Sequence, residues 1–434
     1  MKYVIIILTG LTLLVASACQ GIEDIIPSNE GDQMKGFLSS DIERELAPDV
    51  GPSRLQSLAS DNTAFALAFY DLIRSEEGNL VYSPFSLSLA LSMTLAGAET
   101  TTRDAMLDAL QFSLEEGEIH PTLNALMLAI EASQAIDEGS EGGSFELSIA
   151  NSIWGQQGFN FKQAFLDRIA LNYGAGIYTV NFAASPELAR VAINDWVEDE
   201  TQEKIKDLIP PDTITQLTRL VLANAIYFKG SWFHPFDQGL TQPGPFTTLG
   251  GDEIRVDMMK LFDEHLLYLQ EGELQVISLP YLSRDFVMTL IVPDHGSFTT
   301  VEDRLTVELL ETLMNKMVSE RINLEMPKFD FETTINANDA LKTLEMAEAF
   351  DPDLSDFKGM ADVEDLHISD VLQKATITVD EEGTEAAAAT AVIVGIKSAP
   401  IGEPISLVID RPFLFFIQHQ PTGTILFMGR VVQP

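Results

Sequence analysis

The sequence predicts an α+β fold, on three observations. Amphipathic stretches with apolar residues three and four apart, such as 187–208, are mixed with β-rich runs at Leu220–Phe228, Glu273–Pro280, Phe286–Val292 and Ile322–Phe331. Strands and helices do not alternate as βαβ units require, which disfavours a doubly wound sheet, and no internal repeat points to a solenoid. Hydrophobic residues make up 46% of the 434 positions, so the chain can bury a sizeable core despite its charge. That charge is large: 26 Lys and Arg against 66 Asp and Glu give −40 at neutral pH. No basic run interrupts the acidic background, so nucleic acid, whose binding rests on clustered Lys and Arg, is not an expected partner.

Residues 1–18 read as an export signal: Lys2 supplies the positive end, an apolar run extends from Val4 to Val15, and Ala16, Ser17 and Ala18 precede Cys19. The apolar run is too short for a membrane-spanning helix, which needs about 20 such residues. One reading is ordinary cleavage after Ala18. The other is a bacterial lipoprotein signal, which Ala16-Ser17-Ala18-Cys19 resembles, and there Cys19 bears the lipid. Cys19 is the chain's one cysteine, so an internal disulfide and a cysteine-based zinc site are excluded. The expectation is an exported protein, lipid-anchored to the bacterial envelope. Gln20 replaces the Asp that signals inner-membrane retention in enteric bacteria, which favours the outer membrane or cell surface.

Residues 19–54 are acidic and turn-rich, with Pro27, Gly31, Gly36, Pro48, Gly51 and Pro52 and no sustained period, and read as a flexible tether. Regular patterning starts at Leu55, where LQSLASDNTAFALAFYDLIR sets apolar residues on one helical face, and 55–434 reads as one domain. That domain carries no enzyme signature. The histidines at 120, 234, 265, 295, 367 and 419 are scattered, and HExxH, GxGxxG, P-loop and GxSxG patterns are absent. Asp351-Pro352-Asp353-Leu354-Ser355-Asp356 looks superficially like a calcium loop, yet an EF-hand needs glycine where Asp356 stands, so a solvated acidic turn is expected. Neither a cofactor, a metal nor a catalytic residue is expected.

The most informative stretch is 379–402, VDEEGTEAAAATAVIVGIKSAPIG. In a strand every second side chain reaches one face, and here that set is Thr384, Ala386, Ala388, Thr390, Val392 and Val394, all uncharged. Glu385 opens the other set and requires an outward or edge position. The segment can therefore become a buried central strand. Its flanks place it outside at first: Gly383 supplies a backbone hinge, and Lys397-Ser398-Ala399-Pro400 is a polar, turn-forming end. A lone lysine on an extended segment suits trypsin-like proteases, whose specificity pocket holds a carboxylate. Lys397-Ser398 is the candidate scissile bond.

Several motifs, in order, resemble the serpins over residues 56–434. Asn79 to Met93, NLVYSPFSLSLALSM, followed by Leu95 to Ala98, resembles the family's shutter segment. Leu222 to Trp232, LANAIYFKGSW, resembles its strand and breach segment. The hinge is matched by Glu381, Glu382, Gly383, Thr384, Glu385, Ala386, Ala387, Ala388, Ala389 and Thr390, and the C-terminal signature by Asp410 to Ile417 with Gly423 to Val432.

The resemblance implies the serpin fold: large mixed and antiparallel β-sheets, surrounding helices and an exposed reactive-centre loop, here about 381–404. It implies a monomeric suicide inhibitor whose loop is cut by a serine protease, which is held as an acyl-enzyme while the loop inserts into the main sheet. Glu381 to Lys397 spans 17 residues, the family's usual distance from hinge to cleaved bond. From Lys397 to Pro412 the chain is about four residues longer than usual, which leaves a bond nearer Ile401 open, with Ile396 and Val394 as sites for elastase-like or subtilisin-like targets.

By the same resemblance Ser83, Ser86 and Asn224 are shutter residues, against a plainer reading as helix cap and strand packing, and Gln373 stands where the family often has histidine. Trp232 matches the breach tryptophan. Lys328 and Glu381 match a pair that bridges the insertion point, with a gating role at most if the bridge is partly exposed. The alternative function is a non-inhibitory serpin acting as a binding or chaperone-like protein. A hydrolase built on a scattered serine has no motif behind it.

Overall fold

The computed structural model describes residues 36–137, 145–384 and 403–434. The chain enters as β1 (Gly36–Leu38) and, beyond Gly51, starts α1 (Pro52–Ile73) on a proline, whose missing N–H costs a helix nothing in its first turn. Leu58, Phe65, Phe69 and Ile73 form the buried stripe of α1. β2 (Leu80–Tyr82) leads into α2 (Pro84–Leu95), which is buried on every side, as its nearly unbroken small and apolar sequence requires. Next come α3 (Thr100–Ala109), α4 (Glu116–Asp137), β3 (Phe145–Gln156) and α5 (Gln163–Tyr173). Gly174 closes α5 in the left-handed region at φ 62°. β4 (Ile177–Val180), α6 (Pro186–Glu200) and β5 (Leu220–Ser231) follow.

The second half is richer in strands: β6 (Gln242–Thr247), β7 (Glu253–Glu271), β8 (Leu274–Pro280) and β9 (Phe286–Pro293) precede α7 (Phe298–Glu302) and α8 (Val307–Lys316). β10 (Val318–Pro327), β11 (Phe329–Asn336), α9 (Asn338–Leu341) and β12 (Ile368–Val379) lead to the two-residue β13 (Gly383–Thr384). β14 (Ile405–Val408), β15 (Phe413–His419) and β16 (Thr424–Val431) end the chain.

Two sheets organise these elements. One has seven strands in the order β1-β4-β3-β5-β13-β12-β11, and the other runs β14-β10-β7-β8-β9-β15-β16-β2 with β6 added on β7. This is the expected α+β arrangement. In the first sheet alternation along β5 divides two cores. Leu220, Leu222, Ile226 and Phe228 face the main core, whereas Val221, Ala223, Ala225 and Tyr227 pack beneath Ile193 and Val197 of α6.

Three sequence expectations differ from the observed elements. The helix expected over 187–208 stops at Glu200: the Thr201 hydroxyl donates to the Val197 carbonyl and accepts from the Ile205 N–H, and Gln202 and Glu203 turn at φ 51° and 63°. The run Ile322–Phe331 is two strands, broken at Lys328, whose N–H still bonds the Asp257 carbonyl of β7 before the chain passes into the first sheet as β11.

The third is the tether of 19–54, which the described residues contradict from Gly36 onward. β1 pairs with β4, the Arg44 guanidinium donates to Asn124 at 2.8 Å and bridges to Glu131 at 2.8 Å, and the Glu45 N–H donates to the Leu171 carbonyl at 2.9 Å. Side-chain hydrogen bonds to distant elements, not a periodic apolar face, hold this strip.

Candidate functional site

The seven-stranded sheet contains a seam. β5 and β12 run parallel and pair directly from Leu220–Ile368 up to Tyr227–Thr376, with one irregularity near Ser369. Beyond that they separate, and β13 occupies the space, with Thr384 opposite Gly230 on one side and Val379 on the other. The slot is narrow: a Cβ on Gly383 would stand 2.0 Å from the Gly230 carbonyl oxygen, so only glycine fits there. Thr384 is fully buried and its hydroxyl lies 2.8 Å from the Tyr281 hydroxyl.

Above β13 the chain is clamped. The Trp232 N–H donates to the Glu382 carbonyl at 2.9 Å, its indole N–H donates to the Asp380 carbonyl at 3.0 Å, and its ring stacks on Tyr281 at 4.6 Å. Burial would raise the Glu381 carboxyl, but a 2.6 Å ion pair with Lys328 and a 2.5 Å hydrogen bond from the Thr241 hydroxyl outweigh it and hold the group below its usual value. Glu381 is buried while Lys328 is partly open, so the expected pair forms with its carboxylate inside the protein. Loss of Lys328 would therefore strand a buried charge, which is more costly than breaking a surface bridge.

At mid-seam lies a buried polar cluster. The Gln373 amide accepts from the Ser83 N–H at 2.9 Å and donates to the Ser83 carbonyl at 2.9 Å and to Asn224 Oδ1 at 2.6 Å, so one side chain ties β12 to both α2 and β5. Asn224 Nδ2 donates to Ser86 Oγ at 2.6 Å and also to Asn151 Oδ1. Ser83 is at the same time the N-cap of α2, its hydroxyl accepting from the Ser86 N–H at 3.1 Å. Ser83 thus caps α2, as the plainer reading has it, and also joins the seam cluster through its backbone. Glutamine can hold these bonds at once because it donates and accepts together, whatever the pH.

Over the outer face of the seam runs the segment after α6. Ile205, Leu208 and Ile209 pack with Ala223 and Ala225 of β5 and Leu372 of β12, and Lys374 Nζ donates to the Lys206 carbonyl at 3.1 Å while bridging to Glu332 at 2.9 Å. A strand entering between β5 and β12 would have to lift this strap.

The structure thus brings together Ser83, Ser86, Asn224 and Gln373 at mid-seam, and Trp232, Lys328, Glu381, Glu382, Gly383 and Thr384 at its mouth. Glu385, Ala386, Ala387, Ala388, Ala389, Thr390, Lys397, Ser398 and Cys19 lie outside the described residues, as do Val394, Ile396 and Ile401. Sequence reasoning missed Asn151, Tyr281 and Thr241. Asn151 left a signal, since in β3 it interrupts the apolar face of Ile149 and Ile153.

A serine–histidine–aspartate group does occur. Ser133 Oγ donates to Asp285 at 2.8 Å and lies 3.0 Å from His419 Nε2. The aspartate holds the serine instead of orienting the imidazole, whose Nδ1 faces Thr422, and burial lowers His419 to about 4 against a smaller opposing effect of Asp285. This is a clamp between α4 and β15, without the base and orienter of a nucleophilic triad. Among the described residues no group of three or more His, Cys, Asp or Glu could hold a metal.

A protein-family model described as Serpin (serine protease inhibitor) matches residues 60–434. The chain is 32% identical to an uncharacterized serpin-like protein of Methanosarcina mazei over 99% of this chain and 97% of that one. It is 35% identical to the leukocyte elastase inhibitor of Sus scrofa over 88% of this chain and all of that one. Among solved structures it resembles tengpin, a thermophilic serpin in the native state, with a TM-score of 0.78, 27% identity and coverage of 94% of this chain and 99% of that one.

Proposed function

The chain belongs to the serpin family, and from that premise we propose that it inhibits a trypsin-like serine protease by suicide cleavage between Lys397 and Ser398. The acyl-enzyme is trapped as the freed strand fills the seam between β5 and β12. The observation that carries this reading is Thr384 already seated between those strands, antiparallel to β5.

Continuing that register one residue at a time would set Ala386 against Phe228, Ala388 against Ile226 and Thr390 against Asn224, with Gln373 on its other side. The uncharged alternate set would then share the face of β5 that points into the main core. Each step trades the β5–β12 ladder for two new ladders and buries apolar groups, which drives the reaction one way. Loop insertion of this kind is the general example of stored strain released by a protease.

In the same reading the protein is exported and held on the bacterial envelope through lipidated Cys19, with no cofactor in its action. The test is incubation of residues 36–434 with trypsin, followed by denaturing electrophoresis and intact mass. A band at the summed mass that survives boiling, with a released fragment beginning at Ser398, is expected. Lys397→Ala should abolish that band with trypsin. Clean cleavage without a complex would remove the trapping mechanism and favour a non-inhibitory role. Equal trapping by Lys397→Ala would move the bond elsewhere.

A further inference from the structure

The strip that docks on the outer edge of the seven-stranded sheet carries an apolar ridge that no described residue covers. Leu46 is 73% exposed and Phe37 54%, and Leu38, Ile42 and Leu171 are exposed as well. These five are among the fourteen large apolar side chains exposed on the described residues. They lie together. β1 pairs with β4 from Gly36–Thr179 to Leu38–Ile177, the Phe37 ring is 4.8 Å from that of Tyr178, and the Glu45 N–H is bonded to the Leu171 carbonyl. Single exposed apolar residues are ordinary, whereas a cluster on one short strip marks a contact surface.

We propose that this ridge rests on a zwitterionic lipid bilayer, with the edge of the sheet turned to the membrane; the proposal rests on Cys19 as the lipid-bearing residue. From Cys19 to Gly36 is 36 − 19 = 17 residues, a reach of at most about 60 Å even when fully extended. The chain from the anchor arrives at this edge and nowhere else. Through the register Gly36–Thr179, Thr179–Gly155 and Gly155–Leu220, it also arrives level with the end of β5 remote from the hinge.

The ridge is interspersed with exposed Asp41, Glu43 and Glu45. These disfavour an anionic surface, and a second copy of this chain would bring the same carboxylates face to face. A neutral headgroup layer over an apolar interior meets neither objection.

The test couples residues 19–434 through the Cys19 thiol to a maleimide lipid in phosphatidylcholine vesicles. Attachment then does not depend on acylation in the cell, which is read separately from the mass of the N-terminal peptide in an exporting host. Trp154, Trp196 and Trp232 are buried and give a constant background. The tryptophan introduced by Leu46→Trp should be quenched at least twofold when the bilayer phosphatidylcholine is brominated. The one introduced by Leu240→Trp, beside Thr241 at the hinge end, should be unaffected. Replacing a third of the lipid by phosphatidylglycerol should reduce the quenching. Absence of quenching in Leu46→Trp, equal quenching of both variants, or stronger quenching on the anionic bilayer would each overturn the proposal, and an unacylated Cys19 in the host would remove the anchor beneath it.

Discussion

Replacing Thr384 by arginine attacks the seam where it is already open. The side chain is fully buried, its hydroxyl 2.8 Å from Tyr281, in a slot where Gly383 tolerates no Cβ. The nearby Glu381 carboxylate is engaged by Lys328 and Thr241. Burying an unpaired guanidinium costs several kcal/mol, and leaving the Tyr281 hydroxyl without its partner adds about 1–3 kcal/mol. In the uncleaved chain the arginine escapes this cost by taking β13 out of the slot, so re-entry after cleavage must meet it, and a residual about 3 kcal/mol on the insertion barrier slows strand entry about 150-fold. Deacylation is untouched, so the protease hydrolyses its way out before the seam closes on the strand. The assay is the ratio of boiling-stable complex to cleaved protein on denaturing gels at equal protease. Thr384→Arg should run almost entirely as cleaved protein. A complex yield equal to that of the unaltered chain would refute the insertion argument.

Three other outcomes are expected. Asn151→Ala removes an acceptor from the buried Asn224 amide and should lower native stability by about 1–3 kcal/mol in denaturant melts, with faster loop insertion after cleavage. Gln373→His should make closure depend on pH: burial favours the neutral imidazole, so its contribution is present above about pH 6.5 and is lost as pH falls, seen as an acid-dependent unfolding rate absent from the parent. The unaltered protein should itself lose stability from about pH 6.5 down to 4. Burial lowers His120 and His419 to about 4, so the unfolded chain takes up their protons first, a few kcal/mol in all. Asp370 has the opposite sign, since burial raises it to about 6 and the folded state gains as pH falls. Two histidines outweigh one carboxyl, and His419→Gln should flatten the curve.

What the sequence displayed was whatever depends on spacing along the chain. The alternation from Thr384 needed only the period of a strand, and of its members Thr384 alone lies among the described residues, buried between β5 and β12; the pairing of Lys328 with Glu381 came from the resemblance, and the two side chains do meet at 2.6 Å. Tyr281 was not legible, because it meets Thr384 across 103 residues from the turn after β8, and no local pattern marks it for that encounter. The strip from Gly36 was hidden for a related reason. Its turn-rich composition is that of a linker, and what fixes it are partners such as Asn124, 80 residues beyond Arg44. The early end of α6 at Glu200 was likewise decided by a threonine bonding back on its own turn, which overrides an amphipathic pattern that continues past it.

The edge entry of β1 has a mechanical corollary. From Gly230 to Leu220 the strand β5 is ten steps, about 33 Å, and a captured protease would be hauled along that axis. In the proposed attachment the chain from Cys19 would join at β1, to the side of β5 with β4 and β3 between them. Cargo moving past such an attachment travels parallel to the surface that holds it and exerts little pull on the lipid, so a tethered molecule could complete its stroke without being torn from the membrane or driving its captive into it.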